Sequence, residues 1–565
     1  MLPLKDSDKP IVRKLLDAGC CPRCVLRFCC VGVQAAYRRA RQDTLTELQA
    51  FIGNTGGNHK SHDATASEPP GHPPSKRARV EAGACGAAEE EAAAVAARSD
   101  EDVGVAARRD EDVGVAARSD EDVGVAARRD EDVGVATRRG EDVCVACLGI
   151  LQELCDAAQA TEIAEAVKAQ SFDFCTLVLS VSLPAQLFVR EHSCWLHVKT
   201  DQREKSVALS KDDVIQVKEA YKWVMQGRVA KELGGVAVVT RSPFEIAVEF
   251  IHPETEADCH FLASTCRDAF KPTKNKQSVF TRMAVVKALD KTADARFLQH
   301  YPSPPARPTS RCVPQDVQCL HASVFIAGRY NKFCRSLPQT PWVIDGERRM
   351  ESSVEELIAA PVLSPFRAKG FNFSSSGRED VDVRTLGNGR PFAMELLNPH
   401  RSRLSNAEMK QLQEAINRSS DKIRVRDLQI VTREATSRMK EGEEEKTKSY
   451  TALVWTQRPI QREDLTFIQD IKDLTLDQKT PLRVLHRRTL AVRQRVVHSM
   501  SARFLDSHHF HLVLKTQAGT YIKEFVHGDF GRTKPNMCEL LQTDADILEL
   551  DVESVDVDWP PPIPE

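Results

Sequence analysis

The sequence predicts an α+β protein in which two structured regions flank a low-complexity insertion. After Cys144, segments with strand periodicity alternate with segments of helical spacing. Between residues 54 and 143 the composition changes to repeats, and a proline-rich stretch, Tyr301 to Asp316, then marks a second boundary. We therefore predict a first domain formed by residues 1–53 and 144–315, an insertion at residues 54–143, and a second domain at residues 316–565.

Composition limits the classes of partner. The chain has 565 residues, 41% of them hydrophobic, and a formal net charge of −3, so any nucleic acid must bind through local basic patches. No apolar run approaches the ~20 residues that span a bilayer, and the charged N-terminus does not resemble a secretory signal. We expect an intracellular, monomeric protein away from membranes, whose 17 cysteines stay reduced unless they bind metal.

The insertion carries tandem decapeptides such as AARSDEDVGV, in which valine is the sole sizeable apolar residue. So little apolar surface does not offset the entropy of ordering a backbone, which predicts a disordered segment without a catalytic role. Upstream, PPSKRARV (Pro73 to Val80) is a candidate nuclear import signal, and the alternative is one of the short basic runs that are common in disordered tails. We expect the protein in both nucleus and cytoplasm.

Periodicity predicts the elements of the first domain. Three helices are predicted at TLTELQAFIG, at MAVVKALD and at DDVIQVKEAYKWVMQG, the last with Val214, Val217, Tyr221 and Val224 on one stripe. Strands are predicted at FDFCTLVLSVSLPAQLFV, at CWLHVK, and twice within VAVVTRSPFEIAVEFIHP.

The second domain is predicted in the same way. Helices are expected at SSVEELI and at SNAEMKQLQEAINRS, where Ser405 and Glu408 have capping-box spacing and Met409, Leu412 and Ile416 share a face. Strands are expected at RPFAMELL, TALVWTQ, PLRVLHRR and FHLVLKT, and in the last of these Phe510, Leu512 and Leu514 alternate with polar positions.

Two cysteine pairs predict a metal site. Cys21 and Cys24 form CPRC, and Cys144 and Cys147 form CVAC. Four thiolates suit a tetrahedral structural zinc with no open catalytic position, and the long separation is tolerable because loop-closure cost rises slowly with length. The alternative is four buried or free cysteines.

The stretch SSSGREDVDVRTLGNGRPF, Ser374 to Phe392, gathers acids, arginines and glycines at one turn. Either it is a solvated salt-bridge loop, or one carboxylate is held charged for chemistry. A second cluster, GTYIK, places Tyr521 and Lys523 on one face if the segment is a strand. A ring and a cation suit a flipped nucleobase beside a carboxylate, and a solvent-facing pair is the alternative.

These motifs resemble those of pseudouridine synthases. GRED, Gly377 to Asp380, resembles the catalytic turn of TruA-type enzymes, and GTYIK resembles a strand of TruB-type enzymes. Together with GRYNKFCRSLPQTPW, they resemble the archaeal and eukaryotic tRNA pseudouridine synthase family with an N-terminal zinc-containing THUMP-type domain, and a vertebrate member of it. The resemblance covers residues 1–53 and 144–565, and the insertion departs from it. It implies a catalytic domain built on a mixed, mainly antiparallel sheet with flanking helices.

The resemblance implies roles for particular residues. Asp380 would be the catalytic aspartate, Tyr521 would stack on the target base, and Lys523 would pair with Asp380. Lys523 stands where TruB-type enzymes carry arginine, so the carboxylate would be held without a bidentate fork. Arg378 and Arg384 would contact the RNA backbone or orient the acidic turn. Two assignments stay open. Asp382 and Glu379 rival Asp380, and Asp382 would face the same side as Asp380 in an extended segment. Leu548 and Leu550 are equal candidates for the apolar residue beneath the base.

The implied activity is isomerisation of uridine to pseudouridine in the T-loop of tRNA, at positions 54 and 55, after base flipping and without a catalytic cofactor. The first domain would grip the acceptor end of the tRNA, and other structured RNAs are further candidate partners. Contacts with the RNA backbone are expected from five residues: Arg329, Lys332, Arg335, Arg487 and Arg488. For each of them the alternative is a solvated surface charge. A rival class is a non-catalytic RNA-binding chaperone or adaptor, which can coexist with catalysis. A zinc-dependent DNA binder is disfavoured because the cysteine pairs lack the histidines and recognition helix of a classical zinc finger, and the domain shows no basic recognition stripe.

Overall fold

The computed structural model describes residues 1–53, 143–199, 209–270, 280–439, 441, 446–486 and 488–564. The decapeptide repeats, the basic stretch PPSKRARV and Arg487 lie outside the described residues, so the predictions made for them stay predictions. In the described part of the chain, no helix is both long and apolar enough to cross a membrane.

The first region contains a small sheet covered by helices. Its strands are β1 (Thr176–Ser182), β2 (Ala237–Val238), β3 (Phe244–Ile251), β4 (Val313–Pro314) and β5 (Gln318–His321). Strand β1 pairs in parallel with β2 and β3, and β4 and β5 pair antiparallel with β3. Because β5 joins this sheet, the sheet continues beyond the boundary predicted at residue 315. The division into domains stays a prediction.

Ten helices belong to this region of the described chain: α1 (Lys9–Asp17), α2 (Pro22–Phe28), α3 (Gln34–Arg38), α4 (Arg41–Gly53), α5 (Ala157–Gln170), α6 (Gln186–Lys199), α7 (Val217–Glu232), α8 (His260–Thr265), α9 (Arg282–Lys291) and α10 (Asp294–His300). The predicted helices appear as α4, α7 and α9, and α7 buries Val217, Tyr221 and Val224. The strand predicted at CWLHVK is wrong, because these residues end α6. This helix is buried on most sides, so its apolar residues follow one another without helical spacing.

The second region is built on a ten-stranded sheet, and a separate two-stranded hairpin is formed by β7 (Val343–Ile344) and β8 (Glu347–Arg348). The strands of the large sheet are β6 (Val324–Lys332), β9 (Gly370–Ser375), β10 (Arg384–Leu397), β11 (Ile423–Val431), β12 (Thr447–Thr456), β13 (Lys472–Lys479), β14 (Val492–Asp506), β15 (His509–Gln517), β16 (Thr533–Lys534) and β17 (Ala545–Val555). Their order is β11-β6-β10-β17-β12-β15-β14-β13-β16, and β9 pairs with β10. All neighbours are antiparallel except β10 and β17. The predicted mixed, mainly antiparallel sheet is confirmed.

Helices flank this sheet: α11 (Val354–Phe366), α12 (Asn406–Ser419), α13 (Arg433–Ser437), α14 (Ile522–His527) and α15 (Met537–Leu541). The predicted capping box opens α12, where the Ser405 hydroxyl accepts a hydrogen bond from the Glu408 backbone N–H and the Glu408 carboxylate accepts one from the Ser405 backbone. Met409, Leu412 and Ile416 on α12 are buried against the sheet, as their spacing predicts.

One predicted strand of the second region is wrong, and a segment that was considered as a possible strand is a turn. PLRVLHRR forms a short 3-10 turn at Leu482–Val484, because Pro481 has no N–H with which to continue strand pairing. GTYIK is not extended either, because Gly519 has a φ of 81° and Tyr521 is the residue before α14. Both segments therefore present their side chains from turns that follow strands of the sheet, PLRVLHRR after β13 and GTYIK after β15.

Candidate active site and cysteine cluster

The acidic turn, residues 376–383, connects β9 to β10 and is anchored to the protein interior by a buried ion pair. The Glu379 carboxylate lies 2.7 Å from Arg390 Nε, and both side chains are 2% exposed or less. Glu379 also accepts a hydrogen bond of 2.7 Å from the Tyr330 hydroxyl. A carboxylate so enclosed is a structural anchor, and it leaves Asp380 and Asp382 as the acids that a substrate can reach.

Two glycines shape the start of β10 immediately after the turn. Gly387 has a φ of 51° and a Cβ there would lie 1.8 Å from the Glu553 carbonyl oxygen. Gly389 has a φ of 70° and a Cβ would lie 2.9 Å from the Tyr330 carbonyl oxygen. Only glycine fits both the left-handed backbone and the close approach, which explains the LGNGR stretch.

Lys332 fixes the backbone of the turn. Its fully buried ammonium group donates hydrogen bonds to the carbonyl oxygens of Leu337 at 2.7 Å, Asp380 at 3.1 Å and Val381 at 2.9 Å. Burial lowers the pKa of Lys332 below its usual value. The prediction that Lys332 contacts the RNA backbone is wrong, because β6 directs this side chain into the protein.

The Asp380 carboxylate is 31% exposed and faces two cations. Arg483 Nη1 lies 3.1 Å and 2.9 Å from its two oxygens, and Lys523 Nζ lies 3.5 Å from Oδ2. Arg483 also bonds at 2.7 Å to Glu524, which is 2% exposed, so a buried carboxylate orients the guanidinium. Sequence reasoning missed Arg483, which lies in the turn mistaken for a strand.

Lys523 bridges the two open carboxylates. Its ammonium group is closer to Asp382, at 2.8 and 2.9 Å, than to Asp380. Burial raises the pKa of Asp382, but the hydrogen bond and charge of Lys523 outweigh it and hold this pKa below its usual value. Both acids thus lie on the cation's side, although residues 380–383 form a turn, closed by the Val383 N–H and the Asp380 carbonyl oxygen, and not the extended segment assumed in the prediction from spacing. Asp380 differs in having a second cation and a backbone fixed by Lys332.

Tyr521 and Arg378 border this group. The backbone N–H and carbonyl of Tyr521 are both held at 2.9 Å by the side-chain amide of Gln478, and its ring is half-buried. Because Tyr521 precedes α14, it shares a rigid support with Lys523 and Glu524. Arg378 is exposed and donates a hydrogen bond of 2.9 Å to the Thr340 hydroxyl.

Several other arginines that were predicted to contact RNA bind groups of the protein itself. Arg384 Nε and Nη2 bond to the two oxygens of Asp551 at 2.9 and 2.5 Å. Arg335 donates to the carbonyl oxygens of Asp382 and Leu550, and Arg329 is buried and donates to backbone carbonyls of the C-terminal segment. The prediction that Arg329 contacts the RNA backbone is therefore wrong.

The two leucines that are candidates for the apolar residue beneath the base differ in solvent exposure. Leu548 is 53% exposed and Leu550 is 7% exposed, so Leu548 alone is open to a ligand. Arg488 is exposed in the loop after the 3-10 turn.

The four predicted metal ligands form one buried cluster. The Sγ atoms of Cys21, Cys24, Cys144 and Cys147 all lie within 4.8 Å of one another, and Cys21 Sγ is 3.8 Å from Cys147 Sγ. A tetrahedral zinc with Zn–S bonds of about 2.3 Å separates its sulfurs by about 3.8 Å. Backbone N–H groups point at two of the sulfurs, from Cys21 to Cys144 and from Leu151 to Cys147. The cluster could hold a metal ion.

Comparisons with known proteins agree with this arrangement. Residues 144–319 match the family described as "Eukaryotic Pus10, N-terminal", and residues 325–556 match "Pus10, C-terminal". The tRNA pseudouridine synthase Pus10 of Mus musculus is 54% identical over 562 residues, and that of Homo sapiens is 52% identical over 561 residues. Each alignment covers 99% of both chains. The enzyme of the same name from Thermofilum pendens is 41% identical over 42% of this chain and 54% of its own.

Among solved structures, a chain of a Cbf5-Nop10-Gar1 complex matches 40% of this chain and 48% of its own, with 13% identity and a TM-score of 0.23. A score this low does not establish a common fold. The sequence relatives define the class of protein as a tRNA pseudouridine synthase. Within that class the chain belongs to the Pus10 family, because its full-length relatives exceed half identity over nearly the whole chain. The family predicted from GRED and GTYIK is confirmed.

Proposed function

We propose that Asp380 is the catalytic aspartate of this synthase and that its substrate is a uridine in the T-loop of tRNA. The observation that supports this assignment is the carboxylate itself. It is partly exposed, lies within 3.1 Å of Arg483 Nη1 and 3.5 Å of Lys523 Nζ, and stands on a backbone held by Lys332. Arg483 and Lys523 thus both form ion pairs with this one reachable acid.

The reaction breaks the N1–C1′ glycosidic bond of uridine, turns the base while it stays bound, and joins C1′ to C5, which loses its proton while N1 gains one. No atom is gained or lost, so an ionised carboxylate at the sugar satisfies the minimum chemical need. Asp380 either attacks C1′ as a nucleophile or removes the C2′ proton to give a glycal. Both routes require a carboxylate, the group with which Arg483 and Lys523 form ion pairs.

The remaining roles follow from position. Tyr521, on the residue before α14, would stack on the turned base, and exposed Arg378 would contact a phosphate. A loop uridine suits such a site because extruding it costs less than extruding a paired base, and loops are where RNA sequence is usually read. The first region would bind the acceptor end, and the protein would act as a monomer.

We further propose that the cysteine cluster holds one structural zinc ion. Cys21, Cys24, Cys144 and Cys147 would supply four thiolates, and the metal would join α2 to the segment that follows the insertion. A closed four-thiolate site provides no position for substrate, so its role is to stabilise the first region.

Nucleotide-resolution mapping of pseudouridine in unmodified tRNA transcripts tests the proposal. Wild-type protein should modify T-loop uridines, and Asp380→Ala should modify none while it binds the transcript with nearly unchanged affinity. Modification confined to another arm of the tRNA would refute the T-loop assignment. Full activity of Asp380→Ala would refute the catalytic assignment, and metal analysis of the same preparations should find one zinc per chain.

A further inference from the structure

Phe530 is held in solvent by an unfavourable backbone. It lies between α14 and β16, and its side chain is 94% exposed. Four consecutive residues there have left-handed φ angles: Gly528 at 78°, Asp529 at 48°, Phe530 at 56° and Gly531 at 77°. Glycine adopts this conformation freely, whereas an aspartate and a phenylalanine do so at a cost in free energy. Exposing the ring adds a second cost, because burial of a phenylalanine is favourable.

The loop is nevertheless firmly anchored. Asp529 is 6% exposed, and its carboxylate accepts a hydrogen bond of 3.2 Å from the Leu482 N–H and lies 3.5 Å from Arg532 Nε. Arg532 Nη2 donates to the Thr480 carbonyl oxygen at 2.6 Å. Residues on both sides of Phe530 are thus bound to the segment 480–482, so the backbone that carries the exposed ring is anchored.

This anchor joins Phe530 to the proposed active site. Leu482, which bonds to Asp529, directly precedes Arg483, the closest cation to the Asp380 carboxylate. Two exposed lysines flank the loop: Lys534 follows it, with Cε 3.8 Å from the position that a Cβ on Gly531 would occupy, and the Lys479 N–H donates to the Arg532 carbonyl oxygen. Within the described ranges, neither lysine forms an ion pair.

We propose that Phe530 stacks on an unpaired nucleobase of the RNA substrate while Lys479 and Lys534 neutralise the neighbouring phosphates. An aromatic platform beside unpaired cations is the combination by which proteins bind single-stranded RNA. Stacking on the base would bury the Phe530 ring, which is exposed in the free protein. The inference rests on the proposed function, because it takes the RNA bound at Asp380 as the partner.

Full-length Phe530→Ala, Phe530→Trp and Phe530→Leu proteins test the stacking. Equilibrium binding to an unmodified tRNA transcript should weaken by about five- to 150-fold in Phe530→Ala, the range found for loss of one base–aromatic contact. Phe530→Trp should restore affinity because it has a π face, and Phe530→Leu should not. Phe467→Ala is the matched control, because it removes another exposed ring, 37% exposed, from a different segment.

Phe530→Gly tests whether the side chain serves folding instead. Glycine relieves the left-handed strain, so this variant should melt no lower than wild type while it binds tRNA as weakly as Phe530→Ala. Affinity within twofold of wild type for Phe530→Ala, or full affinity for Phe530→Leu, would overturn the proposal. So would wild-type self-association that Phe530→Ala abolishes without loss of RNA affinity.

The proposed function fails separately. If wild-type protein forms no pseudouridine in tRNA, the catalytic proposal falls, whatever the binding data show. If wild-type protein is active and the Phe530 variants bind normally, this inference alone falls.

Discussion

Removing Arg483 should slow catalysis more than removing Lys523, although Lys523 is the cation that the sequence motif indicates. Arg483 makes two charge-assisted contacts to Asp380, at 2.9 and 3.1 Å, whereas Lys523 is 3.5 Å away and bonds mainly to Asp382. A hydrogen bond to a charged group contributes ~1.5–3 kcal/mol. Asp380 is 31% and Arg483 37% exposed, so solvent screening favours the lower end of that range.

A loss of ~1.5 kcal/mol in transition-state stabilisation slows the reaction about tenfold. We therefore expect Arg483→Met to lower the single-turnover rate of pseudouridine formation about tenfold at saturating tRNA. Lys523→Met removes a looser contact worth ~0.2–1 kcal/mol and should cost about fivefold at most. The assay is release of tritium from C5-labelled uridine in a tRNA transcript, followed at saturating enzyme.

The control concerns Glu524, which is 2% exposed and would lose its cation in Arg483→Met. An unpaired buried charge destabilises the fold, so Arg483→Met should unfold at lower urea than wild type. The double variant Arg483→Met/Glu524→Gln removes that charge and should regain stability while keeping the slow rate. If Lys523→Met is the slower enzyme, or if the double variant regains the wild-type rate, the assignment of Arg483 is wrong.

Three further outcomes follow from the described contacts. Lys332→Met leaves three carbonyl acceptors without a donor, so it should lower the free energy of unfolding, measured by urea titration, by about 3 kcal/mol. The variant should also turn over more slowly, and Lys332→Ala should show the same slower turnover. Burial lowers the pKa of His192 from 6.5 to about 4, so the stability due to its neutral form is complete above pH 6.5 and lost as the pH falls towards 4. Wild type should lose about 3 kcal/mol more than His192→Leu over that window in melting experiments, and parallel curves would contradict this. Cys147→Ser should reduce bound zinc, measured by mass spectrometry of the metal, and lower the melting temperature, whereas Cys30→Ser, outside the cluster, should change neither.

Local signals in the sequence were enough for the elements with clear periodicity. The capping box at Ser405 and the alternation of Phe510, Leu512 and Leu514 depend on neighbouring residues, and both are present in the structure. The four cysteines were also predictable, because thiolate spacing is a chemical requirement that survives a long insertion. By contrast, the α6 segment is buried nearly all round, so its sequence carries no helical stripe.

The partners of Asp380 were only partly predictable. Lys523 follows from a motif, but Arg483 reaches the carboxylate from a turn 103 residues away along the chain. Its role depends on buried Glu524, which orients it across the fold, and no local pattern encodes that contact. For the same reason Lys332 and Arg329 looked like surface cations, whereas tertiary packing turns both into donors to buried carbonyl groups.

The most direct test compares the two acids that share Lys523. Single-turnover pseudouridine formation should fall by about 10²–10⁴-fold or more in Asp380→Asn, because a neutral amide replaces the reachable carboxylate that Arg483 contacts and whose backbone Lys332 fixes. Asp382→Asn is the same isosteric change two residues further along the turn. It should keep the rate within about fivefold of wild type, since it loses one surface ion pair. An active Asp380→Asn enzyme beside a silent Asp382→Asn enzyme would contradict the account.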